Sequence, residues 1–321
     1  MQLDLDKMLD RCNKGQWNVN DFDWSQKPKV KLSKEKEIRV CYYYMNMSYI
    51  ERLAGALFLA LSKRMTDPRL KAIYETFYED EIRHSHAAAK LMDYFDVHQY
   101  RFYTPNQAML RFIPYFTRSV ETLNPAFANS FILGGELILD IALLRSLNEY
   151  VDDPMSRAVV EKINQDESRH IAMDFFMTEY CAEHELKPVK DNGKKGLMNP
   201  DFRGVLTWGP PFFNEVFFRP MQFMDPKQKQ MKEVAKRLRR FYMRPEVQGN
   251  PVVRDTNAMF ERLESPLGRR LAGLGNAISK ATTGIDFGFA AEATKDKIRP
   301  PKDWDTKEGA DQLARALVES N

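Results

Sequence analysis

The sequence DEIRH at residues 80–84 recurs as DESRH at residues 166–170, and both copies read Asp-Glu-x-Arg-His. Within each copy the glutamate and the histidine are three residues apart, so on a helix they lie on nearly the same face, one turn apart. This spacing places a carboxylate oxygen beside an imidazole nitrogen, a ligand pair that suits iron or manganese. A single Glu-x-x-His often occurs by chance, whereas two copies in matching contexts indicate a metal site.

The two copies belong to an internal repeat with an offset of 86 residues. Asp67-Pro68 matches Asp153-Pro154 at this offset, as do the glutamate and the histidine of each motif. An Asp-Pro step ends one helix and starts another, because Asp caps a helix N-terminus and Pro fits its first position. Each half is therefore predicted to be a helix, a tight turn and a second helix that carries the motif.

The first helix of each half should contribute an acidic residue at the depth of the motif. Glu81 lies 13 residues beyond Pro68, which is about 20 Å along the helix. The same distance back from each turn leads to Glu51 and Glu136, and an unpaired carboxylate among the apolar neighbours of Glu136 would be costly. Four carboxylates and two imidazoles match two divalent cations. The predicted ligands are Glu51, Glu81, His84, Glu136, Glu167 and His170.

This pattern resembles the ferritin-like di-iron carboxylate superfamily over about residues 37–185. In those bundles two helices each give a Glu, and two others each give a Glu-x-x-His. The resemblance implies an all-α fold, a ferritin-like four-helix bundle with additional N- and C-terminal helices. It also implies two iron ions, with a manganese–iron pair as the alternative. Glu51, Glu81 and His84 would chiefly serve one metal and the other three ligands the second, with Glu81 and Glu167 bridging.

The resemblance also implies how the histidines are held. In this superfamily the Asp before each motif glutamate typically bonds to the histidine of the opposite motif. Asp80 would therefore pair with His170, and Asp166 with His84, which fixes the tautomer of each ring.

Two further acids and two glycines lie near the expected ligands. Asp140 and Asp174 each lie one turn beyond a ligand. Two roles remain open for them: support of the metal ligands by hydrogen bonds, or a solvated or helix-capping position. Gly134 and Gly135 precede Glu136 and would permit a close approach or soften the helix. A plain packing reason fits these glycines equally well.

Helix order and length are similar to the oxygen-activating branch: acyl-carrier desaturases, aryl-amine N-oxygenases and the small subunit of class I ribonucleotide reductase. The radical-bearing subunit has a tyrosine where this chain has Ala88, and p-aminobenzoate-type N-oxygenases have a histidine where it has Ile163. The resemblance implies an O2-activating non-haem di-iron oxygenase or desaturase that acts on a mostly apolar acyl or aromatic substrate. The open alternatives are an amine N-oxygenase, a ferroxidase or other iron-handling protein, and a radical-generating cofactor subunit.

The expected partners are O2, a small apolar substrate that a carrier could deliver, and a separate reductase or ferredoxin, since the chain has no flavin or NAD motif. We also expect a homodimer and no nucleic acid. The three cysteines form no CxxC pair, the N-terminus has no apolar leader, and no apolar run reaches the roughly 18 residues that cross a bilayer. A cytoplasmic location is therefore expected.

Composition predicts three segments. An approach segment at 1–36 should pack Trp17 and Trp24 onto a bundle at 37–185, and a basic, mostly helical extension at 186–321 should pack on the same bundle. Residues 1–185 carry 23 Lys and Arg against 28 Asp and Glu, whereas residues 186–321 carry 25 against 17. The basic stretch Met231–Met243 is either a solvated helix face or a docking surface for an acidic partner or a membrane.

Helices are predicted from apolar spacing and from the positions of Pro and Gly. In the first two segments they cover about Leu3–Lys14, Glu37–Arg64, Pro68–Phe95, Asn106–Thr122, Pro125–Tyr150 and Pro154–His184. In the extension a non-helical, Gly-, Asn- and Pro-rich stretch is expected at about 191–211. It is followed by predicted helices at about Pro226–Met243, Asn257–Lys280 and Gly309–Ser320.

Overall fold

The computed structural model of the protein describes residues 3–122, 124–184, 186 and 196–286. Within these residues every regular element is helical, which confirms the all-α class. The helices are α1 Leu5–Lys14, α2 Lys34–Ser62, α3 Pro68–Phe95, α4 Gln107–Thr122, α5 Pro125–Leu137, α6 Arg145–Val151, α7 Pro154–Glu183, α8 Pro200–Phe213, α9 Arg219–Met224, α10 Lys229–Tyr242, α11 Pro251–Glu264 and α12 Pro266–Thr283. Two π-helical segments, Ile138–Leu144 and Asn214–Phe218, join α5 to α6 and α8 to α9.

The two Asp-Pro steps start α3 and α7 as predicted. Asp67 Oδ1 accepts a hydrogen bond from the Arg69 backbone N–H at 2.8 Å, and Asp153 Oδ1 accepts one from Met155 at 2.9 Å. In each case the following proline lies at the start of the helix. These caps fix where the two motif helices begin and therefore the depth of each motif.

Four long helical segments surround the position of the motifs. α2 packs against α3 and α5, and α7 packs against the same two helices. Their facing surfaces are apolar, and side chains such as Met47, Phe77, Leu133 and Ile163 are completely buried there. The same hydrophobic cluster continues from Met8 on α1 into the extension as far as the buried residues of α11.

The predicted helix at about Pro125–Tyr150 contains the π-helical segment Ile138–Leu144. One residue more separates Glu136 from Asp153 than separates Glu51 from Asp67. A π-helical turn accommodates an extra residue without ending the helix. The segment therefore absorbs the one-residue difference between the two halves of the repeat.

The segment Pro125–Val151 is long and apolar enough to cross a membrane by length and composition alone. The sequence expectation overlooked this segment, because Glu136 and Asp140 divide it into shorter apolar runs although its mean hydropathy is that of a spanning helix. In the structure α5 packs against α7, α2 and α11. Burial against these three helices also accounts for the apolar composition of the segment.

Two predictions in the extension are wrong. The stretch at about 191–211 contains most of α8, although Pro210 and Pro211 lie inside that helix. α8 forms because Asn199 caps its start and its apolar residues pack on α4. The helix predicted at about Asn257–Lys280 is two helices, because the Ser265 hydroxyl accepts a hydrogen bond from Gly268 and caps α12. The basic helix starts at Lys229, and the helix predicted at Gly309–Ser320 lies outside the described residues.

The two tryptophans of the approach segment pack on the bundle as predicted. Trp17 stacks on the ring of His84, and the ring centroid of Trp24 lies 6.5 Å from that of Tyr94. α1 packs against α3 and α7, the two helices that carry the motifs. The N-terminal segment therefore lies over one side of the site.

Candidate metal centre

The six predicted ligands meet in the interior between the four long helices. They form two groups, and within each group the candidate ligand atoms lie within 4.8 Å of one another. Glu81 and Glu167 belong to both groups, as carboxylates that bridge two metals would. Glu51 and His84 complete one group. Glu136 and His170 complete the other.

These side chains are inaccessible to solvent. Glu136 is 3% exposed, and the other five are 0% exposed. On α3 and α7 the glutamate and the histidine come from adjacent turns of one face, while α2 and α5 each present a single glutamate from the opposite side. The helix geometry thus brings four carboxyl groups and two imidazoles into one dry volume.

The two histidines have the same orientation. His84 Nε2 lies 3.0 Å from Asp166 Oδ2, and His170 Nε2 lies 3.3 Å from Asp80 Oδ2. These are the two cross-motif pairs that the resemblance implies. An imidazole that donates Nε2–H to a carboxylate presents Nδ1 as a metal ligand.

Nδ1 of each histidine faces the two shared carboxylates. His170 Nδ1 lies 3.1 Å from Glu81 Oε1 and 3.1 Å from Glu167 Oε2. His84 Nδ1 lies 3.2 Å from Glu167 Oε1 and 3.8 Å from Glu81 Oε2. A cation placed beside either ring would therefore meet one nitrogen and oxygens of both shared glutamates.

The arginines of the two motifs pair with the motif aspartates. Arg83 contacts Asp80, and Arg169 contacts Asp166, each across one helical turn. Arg169 Nη2 also lies 3.4 Å from Asp80 Oδ2. Burial opposes ionisation of Asp80, but its hydrogen bond to His170 and the nearby cations hold its pKa well below the usual range. The sequence reasoning assigned these arginines no role, although both copies of the motif contain one.

Two residues of the approach segment reach the same aspartates. Trp17 Nε1–H donates to Asp166 Oδ2 at 2.7 Å, and the Trp17 ring lies 6.4 Å from that of His84 between centroids. Gln16 Nε2 donates to Asp80 Oδ1 at 3.1 Å. Sequence predicted that Trp17 packs on the bundle but gave no sign of either hydrogen bond.

Within the described residues, many polar atoms of the site have no partner in hydrogen-bonding geometry, although some lie close to one another. Both carboxyl oxygens of Glu51 and Glu81 are in this position, as are Oε2 of Glu136, Oε1 of Glu167 and Nδ1 of His84. An unsatisfied buried polar atom costs free energy, and an ionised carboxylate costs the most. A pair of cations fits this donor set, because it would give each of these atoms a partner.

Without cations the site favours protonated glutamates. Burial, and next the charge of Glu167, raises the pKa of Glu51 to about 7. Burial and the same neighbour raise the pKa of Glu81 and Glu136 well above the usual range. Protons therefore compete with metal ions for these carboxylates.

Asp140 and Asp174 form no hydrogen bond to the six ligands within the described residues. Asp140 lies in the π-helical segment, where burial and then Glu167 raise its pKa to about 6. Asp174 is completely buried, and neither of its carboxyl oxygens has a hydrogen-bond partner among the residues that the structure describes. Burial raises the pKa of Asp174 well above the usual range. Both acids thus lie near the site without a hydrogen bond to its six ligands.

A small cavity of about 50 Å³ adjoins Glu136, and we call it the Glu136 cavity. Glu136 is the one ionisable side chain among its described wall residues, and its aromatic wall residues are Phe116, Phe131, Phe212, Phe213 and Phe217. Gly135 also lines it. A Cβ at Gly134 or Gly135 would meet no atom within 4 Å, so a close approach does not require either glycine.

Comparisons with known proteins assign no family to the chain. No protein-family model matches it. No curated protein matches it either. The six buried ligands and their surroundings are therefore the features of the molecule that indicate a function.

Proposed function

We propose that the protein is an O2-activating di-iron oxidoreductase of the oxygenase or desaturase type, built on a ferritin-like bundle. The observation that carries this proposal is the sharing of Glu81 and Glu167 between two ligand groups, each completed by one histidine and one further glutamate. An oxygen-rich set with one imidazole for each metal suits iron or manganese. Structural zinc sites and copper sites use more nitrogen or sulfur.

Bound ferrous iron would reduce O2, a reaction that the side chains alone cannot perform. Glu81 and Glu167 would hold the two ions at a fixed separation. Asp80 and Asp166 orient the imidazole rings and keep each Nδ1 directed inward. Because the ligands are buried, the site would exclude water from the bound metals.

The Glu136 cavity supports an apolar substrate. Its wall is aliphatic and aromatic apart from Glu136, so it favours hydrocarbon and disfavours charged groups. At about 50 Å³ it is far smaller than a typical ligand pocket of about 300–1,000 Å³. O2 fits this space, whereas an organic substrate requires the aromatic side chains to move.

The reaction needs electrons from outside the chain. We propose a separate reductase or ferredoxin as the donor, in the cytoplasm, and a homodimer as the assembly. An acyl or aromatic substrate, free or bound to a carrier, would present its apolar part to the Glu136 cavity.

The test is anaerobic titration of the metal-free protein with ferrous ion, followed by exposure to O2. Two irons per chain are expected for the wild type and a loss of both for Glu167→Ala. Glu161→Gln, an exposed position on the same helix, is the control and should bind two. Fewer than two irons in the wild type, or an unchanged Glu167→Ala variant, would overturn the proposal.

The same preparation separates the proposed oxidation of an organic substrate from iron handling. Each ferrous pair should consume O2 once and then require external reductant. Continued O2 uptake with every addition of ferrous ion, together with accumulation of ferric mineral, would favour a ferroxidase or storage protein. A stable organic radical in the paramagnetic resonance spectrum would favour a radical-generating subunit.

A further inference from the structure

A second and larger cavity, of about 490 Å³, lies away from the Glu136 cavity. It is bounded by the N-terminal half of α2, the loop before α4, α6 and the segment 215–224 of the extension. A volume of this size is typical of sites that bind small molecules. We call it the arginine-rimmed cavity, because its charged wall residues are Arg39, Arg101, Arg219 and Glu215.

Arg101 is the cation of this cavity that forms no ion pair in the described part of the chain. Its guanidinium carbon lies 5.8 Å from the ring centroid of Tyr42 and 5.6 Å from that of Tyr103. Contact with two aromatic rings orients the planar group and still leaves its N–H donors available for an anion. Tyr42 also lines the cavity, so the charge lies at its wall.

The other two arginines are already paired with carboxylates. Arg39 pairs with Glu35 and lies over the ring of Phe223, 4.0 Å from its centroid. Arg219 Nη2 lies 3.1 Å from Glu215 Oε1. With Glu35 counted, three arginines face two carboxylates, and the unbalanced positive charge is that of Arg101. This excess favours an anionic ligand.

The rest of the wall is mostly apolar, with Thr104, Gln107 and three tyrosines as its uncharged polar residues. Ile38, Val40, Leu147 and Phe223 contribute aliphatic or aromatic surface. A hydrocarbon chain or ring would be desolvated here, while a charged head would remain beside the arginines.

This cavity is separate from the metal centre. Tyr43 lines it, and Glu51 lies eight residues further along α2, which is about 12 Å. Within the described part of the chain the Tyr43 hydroxyl is buried and has no hydrogen-bond partner, and burial together with the charge of Glu51 raises its pKa. None of the six predicted ligands lines the cavity, so binding there does not require metal.

We propose that the arginine-rimmed cavity binds an amphipathic organic carboxylate, with its carboxylate at Arg101 and its hydrocarbon body between the apolar walls. Guanidinium and carboxylate groups match in charge and in planar geometry. The proposal does not rest on the metal site or on the proposed oxidation.

The test is calorimetric titration of the metal-free full chain with dodecanoate, dodecanol and dodecylamine. Dodecanoate should bind most tightly, dodecanol at least about tenfold more weakly, and dodecylamine not at all. Repeating the titration with metal-loaded protein should give the same affinities. Equal binding of the alcohol and the carboxylate, or no binding of any probe, would overturn the proposal.

Three variants locate the carboxylate. Arg101→Gln should weaken dodecanoate binding by about tenfold or more and leave dodecanol binding unchanged. Glu215→Gln should strengthen dodecanoate binding, because it releases Arg219 from its ion pair. Thr104→Trp should weaken both probes, since Thr104 is an exposed residue of the cavity wall.

The matched control is Arg111→Gln. Arg111 lies on α4 over the ring of Trp208, 4.8 Å from its centroid, and does not line the cavity. This variant should bind dodecanoate as the wild type does. An equal loss of dodecanoate affinity in the Arg111 and Arg101 variants would show a general charge effect and overturn the proposed site.

Discussion

His84 Nε2 and Asp166 Oδ2 lie 3.0 Å apart, although the two residues belong to opposite copies of the motif. The reciprocal pair, His170 and Asp80, is separated by 3.3 Å. The histidine of each motif is thus held by an aspartate of the other motif. This exchange gives a physical reason for the Asp at the start of both motifs.

We expect Asp166→Asn to weaken metal binding by about 10–100-fold, because the orienting carboxylate of His84 is lost. The measurement is anaerobic competition for ferrous ion against a chelator of known affinity. Asp152→Asn is the control, since Asp152 is exposed and pairs with Arg157, and it lies about 20 Å from Asp166 along the helix. The proposed orienting role is wrong if both variants bind metal equally well.

Shared and unshared glutamates should differ in metal stoichiometry. Glu167→Gln removes a ligand common to both groups, so the bound iron should fall from two ions per chain toward none. Glu136→Gln removes a ligand of one group, so one ion should remain. Metal analysis after gel filtration measures this difference, with Glu161→Gln as the unaffected control. Identical stoichiometry in the two ligand variants would contradict the bridging assignment.

Sequence could predict the ligands because helical geometry is local. The Asp-Pro caps set the start of α3 and α7, and the rise per residue then fixed the depth at which Glu51 and Glu136 had to lie. The offset between those two glutamates is one residue shorter than that of the motifs. The π-helical segment Ile138–Leu144 accounts for that residue.

Long-range contacts could not be predicted in this way. Gln16 and Trp17 reach Asp80 and Asp166 across 64 and 149 residues of chain, respectively. α8 is helical despite Pro210 and Pro211, because its buried face packs on α4. Such contacts depend on the tertiary packing, which leaves no periodic signal in the sequence.

Trp17→Phe should affect the metal site as well as the fold. It removes the donor to Asp166 Oδ2, which should cost about 1–3 kcal/mol of folding free energy and also weaken iron binding. Trp24→Phe is a matched control, since it removes a donor to the backbone carbonyl of Val19 and should lower stability alone. Denaturant unfolding and chelator competition together separate the two effects. Equal iron affinity in both variants would contradict a role of Trp17 at the site.

The metal-free protein should lose stability as the pH rises from 5 to 7. The pKa of Glu51 is about 7 in the folded state, above its value of about 4.3 in an unfolded chain. Protonation therefore favours the folded state, and this contribution is lost as the pH rises through 7. The groups that act on Glu51 are Glu167, His84, Glu81 and His170.

Denaturant unfolding at several pH values measures this dependence. Glu51 alone contributes up to about 1.4 kcal/mol per pH unit, and Glu51→Gln should reduce the slope by that amount. Bound metal should reverse the trend, because cations replace protons and binding strengthens as the carboxylates ionise. A metal-free protein whose stability is flat or rises between pH 5 and 7 would contradict the expectation.

Gly135→Leu should obstruct the Glu136 cavity and leave the ligands in place. Gly135 lines the cavity, and a Cβ there meets no atom within 4 Å, so a larger side chain can extend into the space beside Glu136. We expect two irons per chain but a slower reaction of the ferrous protein with O2, measured by stopped-flow absorbance. Gly134→Leu is the matched control, because Gly134 does not line the cavity and should react at the wild-type rate. If both variants react with O2 at the wild-type rate, O2 reaches the metals by another path, and the Glu136 cavity loses its proposed role.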